Sequence, residues 1–279
     1  MKKITRRSFM AAAGLTVAAL ALTACGGSSS SVASSVASSA ASSEAASTSA
    51  AAGELTTVEA GKLTMATNAA FPPYEMTTDA GEFEGIDIET AQAIADKLGL
   101  ELQIDDMDFD AALLSVQQGK ADIVMAGVTV TDERKAVMDF SDSYATGIQS
   151  IIVPEGSDIA SPEDLAGKKI GTHRGTTGYI YCSDDFGDEN VVAYDDGLTA
   201  VQALNNGQVD AVVIDNAPAK EFVAANPGLV ILDTSYAEED YAIGVAKGSS
   251  LKDAVNAALE ELKADGTLQS IVDKYITAE

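Results

Sequence analysis

Two stretches of this sequence match each other at a fixed spacing. Residues 112–127 read ALLSVQQGKADIVMAG and residues 200–215 read AVQALNNGQVDAVVID, and they align without a gap at an offset of 88 residues. Each stretch predicts a helix, a glycine that ends it, and a strand that begins at an aspartate. An offset of this length is too long for a solenoid and instead predicts two similar α/β lobes of about 90 residues each.

The neighbouring sequence alternates in the same way between short β-branched runs and helical stretches. Residues 62–67 form a predicted strand, the following helix ends at Gly99, and a further strand begins at Glu101. This alternation is typical of largely parallel sheets, in which ligands bind beyond the carboxyl ends of the strands. The two matching strands end at residues 126–127 and 214–215, and we therefore expect these ends to line a cleft between two lobes.

The N-terminal residues have the pattern of an export signal. Four cations within the first seven residues precede an apolar run over residues 9–22. That run has about 15 residues, whereas a membrane-spanning helix needs roughly 20. We therefore expect a cleaved signal peptide over residues 1–24 rather than a transmembrane anchor. The adjacent Arg6 and Arg7 leave twin-arginine export open beside general secretion.

The expected signal ends in a short sequence that carries a cysteine. Residues 22–25 read LTAC and resemble the lipobox of bacterial lipoproteins, in which the cysteine, here Cys25, receives lipid and becomes the mature N-terminus. Residues 26–52 contain almost only Ser, Ala and Gly, too little apolar side chain to offset the entropy of ordering them. We expect the lipid-bearing cysteine and a flexible linker to span residues 25–53 and to hold the body close to a membrane.

Composition and charge exclude several classes of partner. The formal net charge of −26 opposes binding to a nucleic acid or to an anionic bilayer, so membrane association must come from the lipid. A hydrophobic fraction of 46% is enough for a core without disulfides, and Cys182, the one cysteine besides Cys25, has no partner for an intrachain bridge. With one histidine and no clustered ligands, the sequence predicts neither a metal site nor a cofactor.

The segment after the first matching strand carries a candidate anion site. Gly127 permits close approach of the backbone, Thr129 offers a hydroxyl, and Thr131 begins a predicted helix whose first turn holds Arg134. A planar guanidinium beside free helical N–H groups suits a carboxylate. The alternative is a surface arginine that pairs with one of its acidic neighbours.

The second matching strand ends in the complementary charge. Asp215 is placed either to pair with a ligand ammonium or to cap the following helix, and its position alone leaves both open. Together with Arg134 it would form a two-point clamp for a zwitterion. A third strand end, residues 171–178, is rich in Gly and Thr but lacks the Lys-Ser/Thr of a Walker loop, so a carboxylate is the simpler anion there.

The motifs of the body, taken in order, resemble the polar amino-acid-binding proteins of ABC importers. These are the family-3 solute-binding proteins with the type II periplasmic-binding-protein fold. The stretches that carry the resemblance are NAAFPPY at 68–74, GIDI at 85–88, MDFD at 107–110, AGVTVTDER at 126–134, DFSDSY at 139–144, GTT at 175–177, VDAVVID at 209–215 and DGTL at 265–268.

The resemblance implies an α/β fold with two lobes, each a mostly parallel sheet flanked by helices, and a hinge that the chain crosses twice. It places residues 54–148 and 243–279 in the first lobe and residues 149–242 in the second. Closure of the lobes around a ligand would then be the change that a transporter detects.

The resemblance also implies a role for each residue of the site. The ligand carboxylate is assigned to Arg134, Thr129 and Thr177, the ammonium to the Gly127 carbonyl and Asp215, and the side chain to Phe71 and Phe109, with Asn68 and His173 tuning the pocket. Asn68 stands where relatives often have an acidic residue, which should weaken binding of a cationic side chain. His173 replaces the more usual Gln or Lys and adds a group that titrates near neutral pH.

The function that follows from the resemblance is binding without catalysis. We expect a monomeric, lipid-anchored protein on the outer face of the cytoplasmic membrane that passes an amino acid to a permease and its ATPase. Two other functions on the same fold stay open. A dehydratase-like enzyme would need a proton-transfer group such as Asp215 or His173, although no paired carboxylates or nucleophile–base spacing occur. A ligand sensor would need only the binding cleft.

Overall fold

The computed structural model describes residues 55–276, and the predicted signal peptide, Cys25 and linker lie outside this range. The strands are β1 Lys62–Thr67, β2 Ala70–Phe71, β3 Glu75–Thr77, β4 Phe83–Glu84, β5 Glu101–Asp106, β6 Ile123–Val124, β7 Met138–Phe140, β8 Ala145–Pro154, β9 Ile170–His173, β10 Val191–Tyr194, β11 Ala211–Asp215, β12 Leu229–Ile231, β13 Ala237–Tyr241 and β14 Gly244–Ala246. The α-helices are α1 Ile86–Leu98, α2 Phe109–Gln117, α3 Asp132–Val137, α4 Thr177–Phe186, α5 Gly197–Asn205, α6 Asn216–Ala225, α7 Leu251–Ala264 and α8 Thr267–Tyr275. Among the described helices none has the length and apolarity needed to cross a bilayer.

Two principal sheets divide the described chain. The first has the order β5-β1-β6-β14-β7, and the second has the order β10-β9-β11-β8-β12 with β13 also paired to β8. We call the bodies around them lobe 1 (residues 55–140 and 244–276) and lobe 2 (residues 145–241). This helix-flanked, two-lobed arrangement confirms the predicted α/β fold class.

Each sheet is mixed rather than mostly parallel. The strands β1, β5 and β6 run parallel, as do β9, β10 and β11, whereas β14 and β8 run antiparallel to their neighbours. The antiparallel strands are those next to the points where the chain passes between lobes.

The internal repeat is visible in the structure as two equivalent helix–strand units. The helices α2 and α5 are offset by 88 residues at both ends, and Gly119 and Gly207 follow them with the same φ of +66°. The aspartate before each strand also makes an equivalent contact. Asp122 N donates to a β1 carbonyl at 2.9 Å, and Asp210 N donates to the carbonyl before β9 at 2.8 Å.

The chain passes between the lobes twice, over residues 141–144 and 242–243. The two strands beside these crossings, β8 and β13, pair antiparallel from Ala145–Tyr241 to Gln149–Ala237. Gly147 is required in this pair because a Cβ there would lie 2.4 Å from the Tyr241 ring. The expected boundaries after residues 148 and 242 stay predictions.

Cys182 lies in the core of lobe 2, on the inner face of α4. It is free and completely buried, and burial raises the pKa of its thiol to about 12. A thiol that stays protonated and has no solvent access is unreactive. Cys182 therefore packs as a small apolar side chain.

Candidate functional site

One cavity between lobe 1 and lobe 2 brings together the residues that the sequence singled out. All nine predicted ligand-binding residues line it: Asn68, Phe71, Phe109, Gly127, Thr129 and Arg134 from lobe 1, and His173, Thr177 and Asp215 from lobe 2. Glu75, Ala126 and Thr176 complete the lining. Most of these residues follow the end of a strand or open a helix, which is where a ligand of an α/β protein binds.

Arg134 lies in the first turn of α3 with its guanidinium turned inward. The hydroxyl of Thr131 caps this helix by accepting from the backbone N–H of Arg134 at 3.2 Å. The side chain is 8% exposed and donates to the carbonyls of Thr129 at 2.8 Å and Gly175 at 3.1 Å. It also lies 5.3 Å from the ring centre of Phe109. The alternative of a surface arginine is therefore wrong, and the bond to Gly175 spans the cleft.

The N-terminus of α4 supplies backbone donors from lobe 2. Thr177 and Gly178 begin this helix. Its first backbone hydrogen bond runs from the N–H of Ile180 to the carbonyl of Thr176, at 3.1 Å. The N–H groups before Ile180 have no partner within the helix and form the positive end of its dipole. A side chain at position 178 would approach Gln149 Oε1 to 2.8 Å, so glycine keeps this end accessible. An anion in the cavity therefore meets both N–H groups and a guanidinium.

Asp215 ends β11 with a buried carboxylate. The side chain is 6% exposed and accepts from Gln149 Nε2 at 2.9 Å and from the hydroxyl of Tyr241. It makes no hydrogen bond to the N-terminus of α6, so the helix-cap alternative is wrong. Burial raises the pKa of Asp215 to about 7, although the bonds from Tyr241 and Gln149 act in the opposite direction. A cation in the cavity would stabilise the ionised form.

Glu239, on β13, is a central residue of the site that the sequence did not reveal. It is 7% exposed, and its Oε2 accepts from Thr129 Oγ1 at 3.1 Å, from Thr177 Oγ1 at 2.9 Å and from Gln149 Nε2 at 3.0 Å. The two-residue period of side chains along a strand was the sequence signal that could have indicated Glu239. Glu239 and Tyr241 are two residues apart, so they share a face of β13.

Glu75 is a second carboxylate that sequence reasoning missed. It begins β3, is 0% exposed and lines the cavity. Its protonated carboxyl group donates a hydrogen bond to the carboxylate of Asp87. Burial, and after it the charge of Asp87, raise the pKa of Glu75 well above its usual range. Ionising both carboxyl groups of this buried pair would be costly unless a cation lay beside them.

Asp87 supports the floor of the site from α1. Its Oδ2 accepts from the backbone N–H of Gly127 at 3.0 Å and from the hydroxyl of Tyr144 at 2.8 Å. Burial raises its pKa to about 6. Through these two bonds Asp87 holds the segment that follows β6 next to the end of the first crossing.

Comparisons with known proteins agree with this geometry. The family model of the bacterial extracellular solute-binding proteins, family 3, matches residues 63–278. The chain belongs to this family. Its amino-acid-binding relatives include an L-cystine-binding protein of Escherichia coli (strain K12), 33% identical, with 79% of this chain and 85% of the relative covered. An arginine-binding extracellular protein of Bacillus subtilis (strain 168) is also 33% identical, over 78% of this chain and 87% of the relative.

Solved structures of the family have the same fold. An ancestral arginine-binding protein bound to arginine is 43% identical, with a TM-score of 0.74 and coverage of 77% of this chain and 98% of that chain. The arginine-, lysine-, histidine-binding protein of Geobacillus stearothermophilus is 34% identical, with a TM-score of 0.75 and coverage of 78% and 96%. The chain is thus an extracellular solute-binding protein, and the relatives are binding proteins rather than enzymes.

The remaining walls of this family-3 cleft are aromatic and amide side chains. Asn68 Nδ2 donates to Met107 O at 2.9 Å, and its Oδ1 is buried without a partner. The rings of Phe109 and His173 lie 5.8 Å apart, one from each lobe. Burial lowers the pKa of His173, and the nearby backbone of Asp195 acts in the opposite direction. Neither ring nitrogen is within ordinary hydrogen-bond distance and angle of a partner among the described residues. His173 is therefore a neutral wall at neutral pH.

Proposed function

We propose that this solute-binding protein carries an α-amino acid with a cationic side chain to an ABC importer. The observation that carries the proposal is Glu75, a fully buried carboxyl group that lines the cavity and, within the described residues, meets no cationic side chain. The zwitterionic head and the side chain of such a ligand would occupy different parts of the cavity.

The head group would lie between the opposite charges that the two lobes present. Arg134 and the first N–H groups of α4 form a positive site for the α-carboxylate. Asp215 and the Gly127 carbonyl form a negative site for the α-ammonium. Because each site combines groups from both lobes, a ligand that fills them favours the closed form.

The side chain would extend towards Glu75. A guanidinium or ammonium there would compensate the buried carboxylate, and the rings of Phe71 and Phe109 offer faces that attract a planar cation. The expectation that Asn68 weakens binding of a cation concerns that position alone. Glu75 supplies the missing negative charge from β3.

Relatives support this ligand class and also suggest the nearest competitor. The similar proteins include arginine-binding members from two sources. An ancestral arginine-binding protein, 42% identical, is described bound to glutamine. A protonated Glu75 could donate to a neutral amide side chain, so glutamine is the second candidate.

Export and anchoring complete the proposal but rest on the sequence. The signal over residues 1–24, lipidation of Cys25, the linker over residues 25–53 and a monomeric state are all part of it. So are the absence of catalysis and the lobe boundaries after residues 148 and 242. The protein would then work on the outer face of the cytoplasmic membrane, beside a permease and its ATPase.

A thermal-shift screen of the purified protein against the twenty amino acids and cystine tests the ligand class. A ligand that binds only the folded state raises the melting temperature, and we expect the largest rise from L-arginine. Glu75→Gln should weaken L-arginine binding by about 100-fold, the loss typical when one partner of a buried charge pair is removed. It should spare L-glutamine.

The matched control is Glu84→Gln, on the neighbouring strand β4, where the side chain is exposed. It should bind both amino acids like the wild type. Equal affinity of the wild type and Glu75→Gln for L-arginine would contradict the assignment of Glu75. A screen in which no amino acid shifts the melting temperature would contradict the proposed function itself.

A further inference from the structure

Two carboxyl groups of lobe 1, those of Glu75 and Asp87, meet beside the ligand cavity. The backbone N–H of Asp87, in the first turn of α1, donates to the carbonyl of Tyr74 at 2.8 Å, which sets Asp87 next to Glu75. Gly85 permits this approach, because a Cβ there would collide with the same carbonyl. Both carboxyl groups are 0% exposed, and they share a hydrogen bond. The backbone of this segment therefore holds two acids together in the core, and we call them the Glu75–Asp87 pair.

The two members of the pair differ in the donors that they meet. Asp87 Oδ2 accepts from the backbone N–H of Gly127 at 3.0 Å and from the hydroxyl of Tyr144 at 2.8 Å. Such donors stabilise an ionised carboxylate. The other oxygen, Oδ1, is buried as well and is left for the proton of Glu75. Asp87 is therefore the charged member of the pair, and Glu75 is the protonated member.

The surroundings of the pair oppose a second negative charge. The groups whose charges act most on the pKa of Glu75 are all carboxylates: Asp87, Asp215 and Asp106. The buried phenols of Tyr74 and Tyr144 lie beside the pair and keep their protons, because burial raises their pKa values. Within the described residues no cationic side chain meets Glu75 to balance its charge. In the empty cleft the pair therefore retains one proton.

A ligand can change this balance because Glu75 lines the cavity. A guanidinium or ammonium beside the pair would stabilise the second negative charge, as an opposite charge does for any carboxylate within a few ångströms. A neutral amide in the same place brings no charge, so the pair would keep its proton. The charge of the ligand side chain, rather than its size, thus decides whether Glu75 is ionised.

We infer that the Glu75–Asp87 pair exchanges one proton for the side-chain cation of the ligand. The proton passes to solvent when a guanidinium or ammonium enters, and it stays on Glu75 when the side chain is neutral. Asp87 acts through Glu75 and is a positioning residue. The inference rests on the proposed function, from which it takes the approach of the ligand side chain to Glu75. It adds that the choice between cationic and neutral amino acids depends on pH.

The sign of that dependence follows from the exchange. Acid makes the proton harder to displace, so the affinity for a cationic ligand should rise with pH while the affinity for a neutral one does not. Asp87 has a pKa of about 6, and that of Glu75 lies well above its usual range. Between about pH 6 and 7, the preference for the cationic ligand should rise by up to about tenfold per pH unit, the limit for one released proton.

The test counts the protons released on binding of L-arginine and of L-citrulline, a neutral analogue with a urea group in place of the guanidinium. Calorimetric titrations of the purified protein in two buffers of different ionisation enthalpy give this number. Both probes carry the same α-ammonium and α-carboxylate, so any proton released from Asp215 cancels in the comparison. At about pH 7 we expect L-arginine to release about one proton more than L-citrulline.

Two variants separate the exchange from ligand binding itself. Asp87→Asn keeps an oxygen for the bonds from Gly127 and Tyr144 and turns an N–H towards Glu75, which then ionises without a ligand. It should bind L-arginine with an extra proton release well below that of the wild type. Glu75→Gln has no proton to exchange and should release equal numbers with both probes.

Asp96→Asn, at an exposed position of the same helix, is the matched control and should keep the wild-type difference. Equal proton release by the two probes in the wild type would overturn the inference and leave the ligand class standing. So would an undiminished difference in Glu75→Gln. If L-arginine does not bind the wild type at all, the proposed ligand class is wrong and the proton exchange is contradicted with it.

Discussion

The segments that end β6 and β11 occupy matching positions in the repeat but present different groups to the cleft. Both follow a helix, a glycine with φ of +66° and an aspartate that binds backbone N–H groups. The first ends in Gly127, which offers only backbone atoms. The second ends in Asp215, which is 6% exposed and offers a charge.

The difference shows how a repeated scaffold yields a polar site. The repeat fixes where the strands end, and residues outside the repeat supply most of the chemistry. Gly127 is held by Asp87 from α1, while Asp215 is held by Gln149 and Tyr241 from the crossing strands. One end of the cavity therefore depends on lobe 1 alone, and the other on the hinge.

The largest effect that separates the two ends should come from the charge at position 215. The folded pKa of Asp215, about 7, lies above the 3.8 of an unperturbed aspartate, so the unfolded state loses its proton first as pH rises. The ligand-free protein should therefore lose stability between about pH 4 and 7, by up to about 4 kcal/mol from this group. Asp215→Asn should remove that part of the loss. Denaturant unfolding of both proteins at pH 4 and 8 measures it.

Asp210→Asn, immediately before the same strand, is the control because Asp210 is exposed. It should keep the pH dependence of the wild type. If the free energy of unfolding changed equally with pH in the wild type and Asp215→Asn, the raised pKa assigned to Asp215 in the folded protein would be wrong.

A smaller effect should follow from a side chain at the other strand end. Gly127 has a φ of +54°, and a Cβ there would lie 2.9 Å from Phe71 Cε1. Gly127→Ala should weaken ligand binding by about tenfold and cost about 1–2 kcal/mol of stability from the backbone alone. Gly119 has a similar φ of +66°, but a Cβ there would have no atom within 4 Å. Gly119→Ala should therefore lose stability but keep its affinity for the ligand. Equal affinities of the two variants would contradict the close approach at Gly127.

A third comparison tests the shared part of the repeat. Asp122 is buried and accepts from the backbone N–H of Val58 at 2.7 Å and Thr64 at 2.8 Å. Asp210 is exposed and accepts from Lys169 N at 2.8 Å. Asp122→Ala should cost about 2–3 kcal/mol and Asp210→Ala about 1 kcal/mol. Urea unfolding would measure both, and an equal cost would mean that burial does not distinguish the two units.

The sequence was sufficient for features that depend on local pattern. The repeat predicted the end of β11 at Asp215, whereas β6 ends at Val124, before the predicted end at residues 126–127. Gly99 ends α1 and Thr131 caps α3, as expected. The family motifs predicted nine residues that line one cavity. The caps and strand ends could be predicted because these signals depend on a few neighbouring residues. The binding roles of the nine residues stay predictions.

The buried carboxylates were missed because their surroundings come from distant parts of the chain. Glu239 lies in a run of acidic residues that is typical of a solvated strand, and it becomes buried only when β13 pairs with β8. Glu75 reaches the cavity through the small sheet of β2, β3 and β4.

The central claim is that an amino acid is clamped between the lobes, with its carboxylate on Arg134. Calorimetric titration of Arg134→Ala with L-arginine tests it most directly. The control is Arg174→Ala, which removes an exposed arginine next to Gly175 in lobe 2. The account predicts no detectable binding by Arg134→Ala, wild-type binding by Arg174→Ala, and cooperative unfolding of both. Wild-type affinity in a folded Arg134→Ala variant would contradict the account.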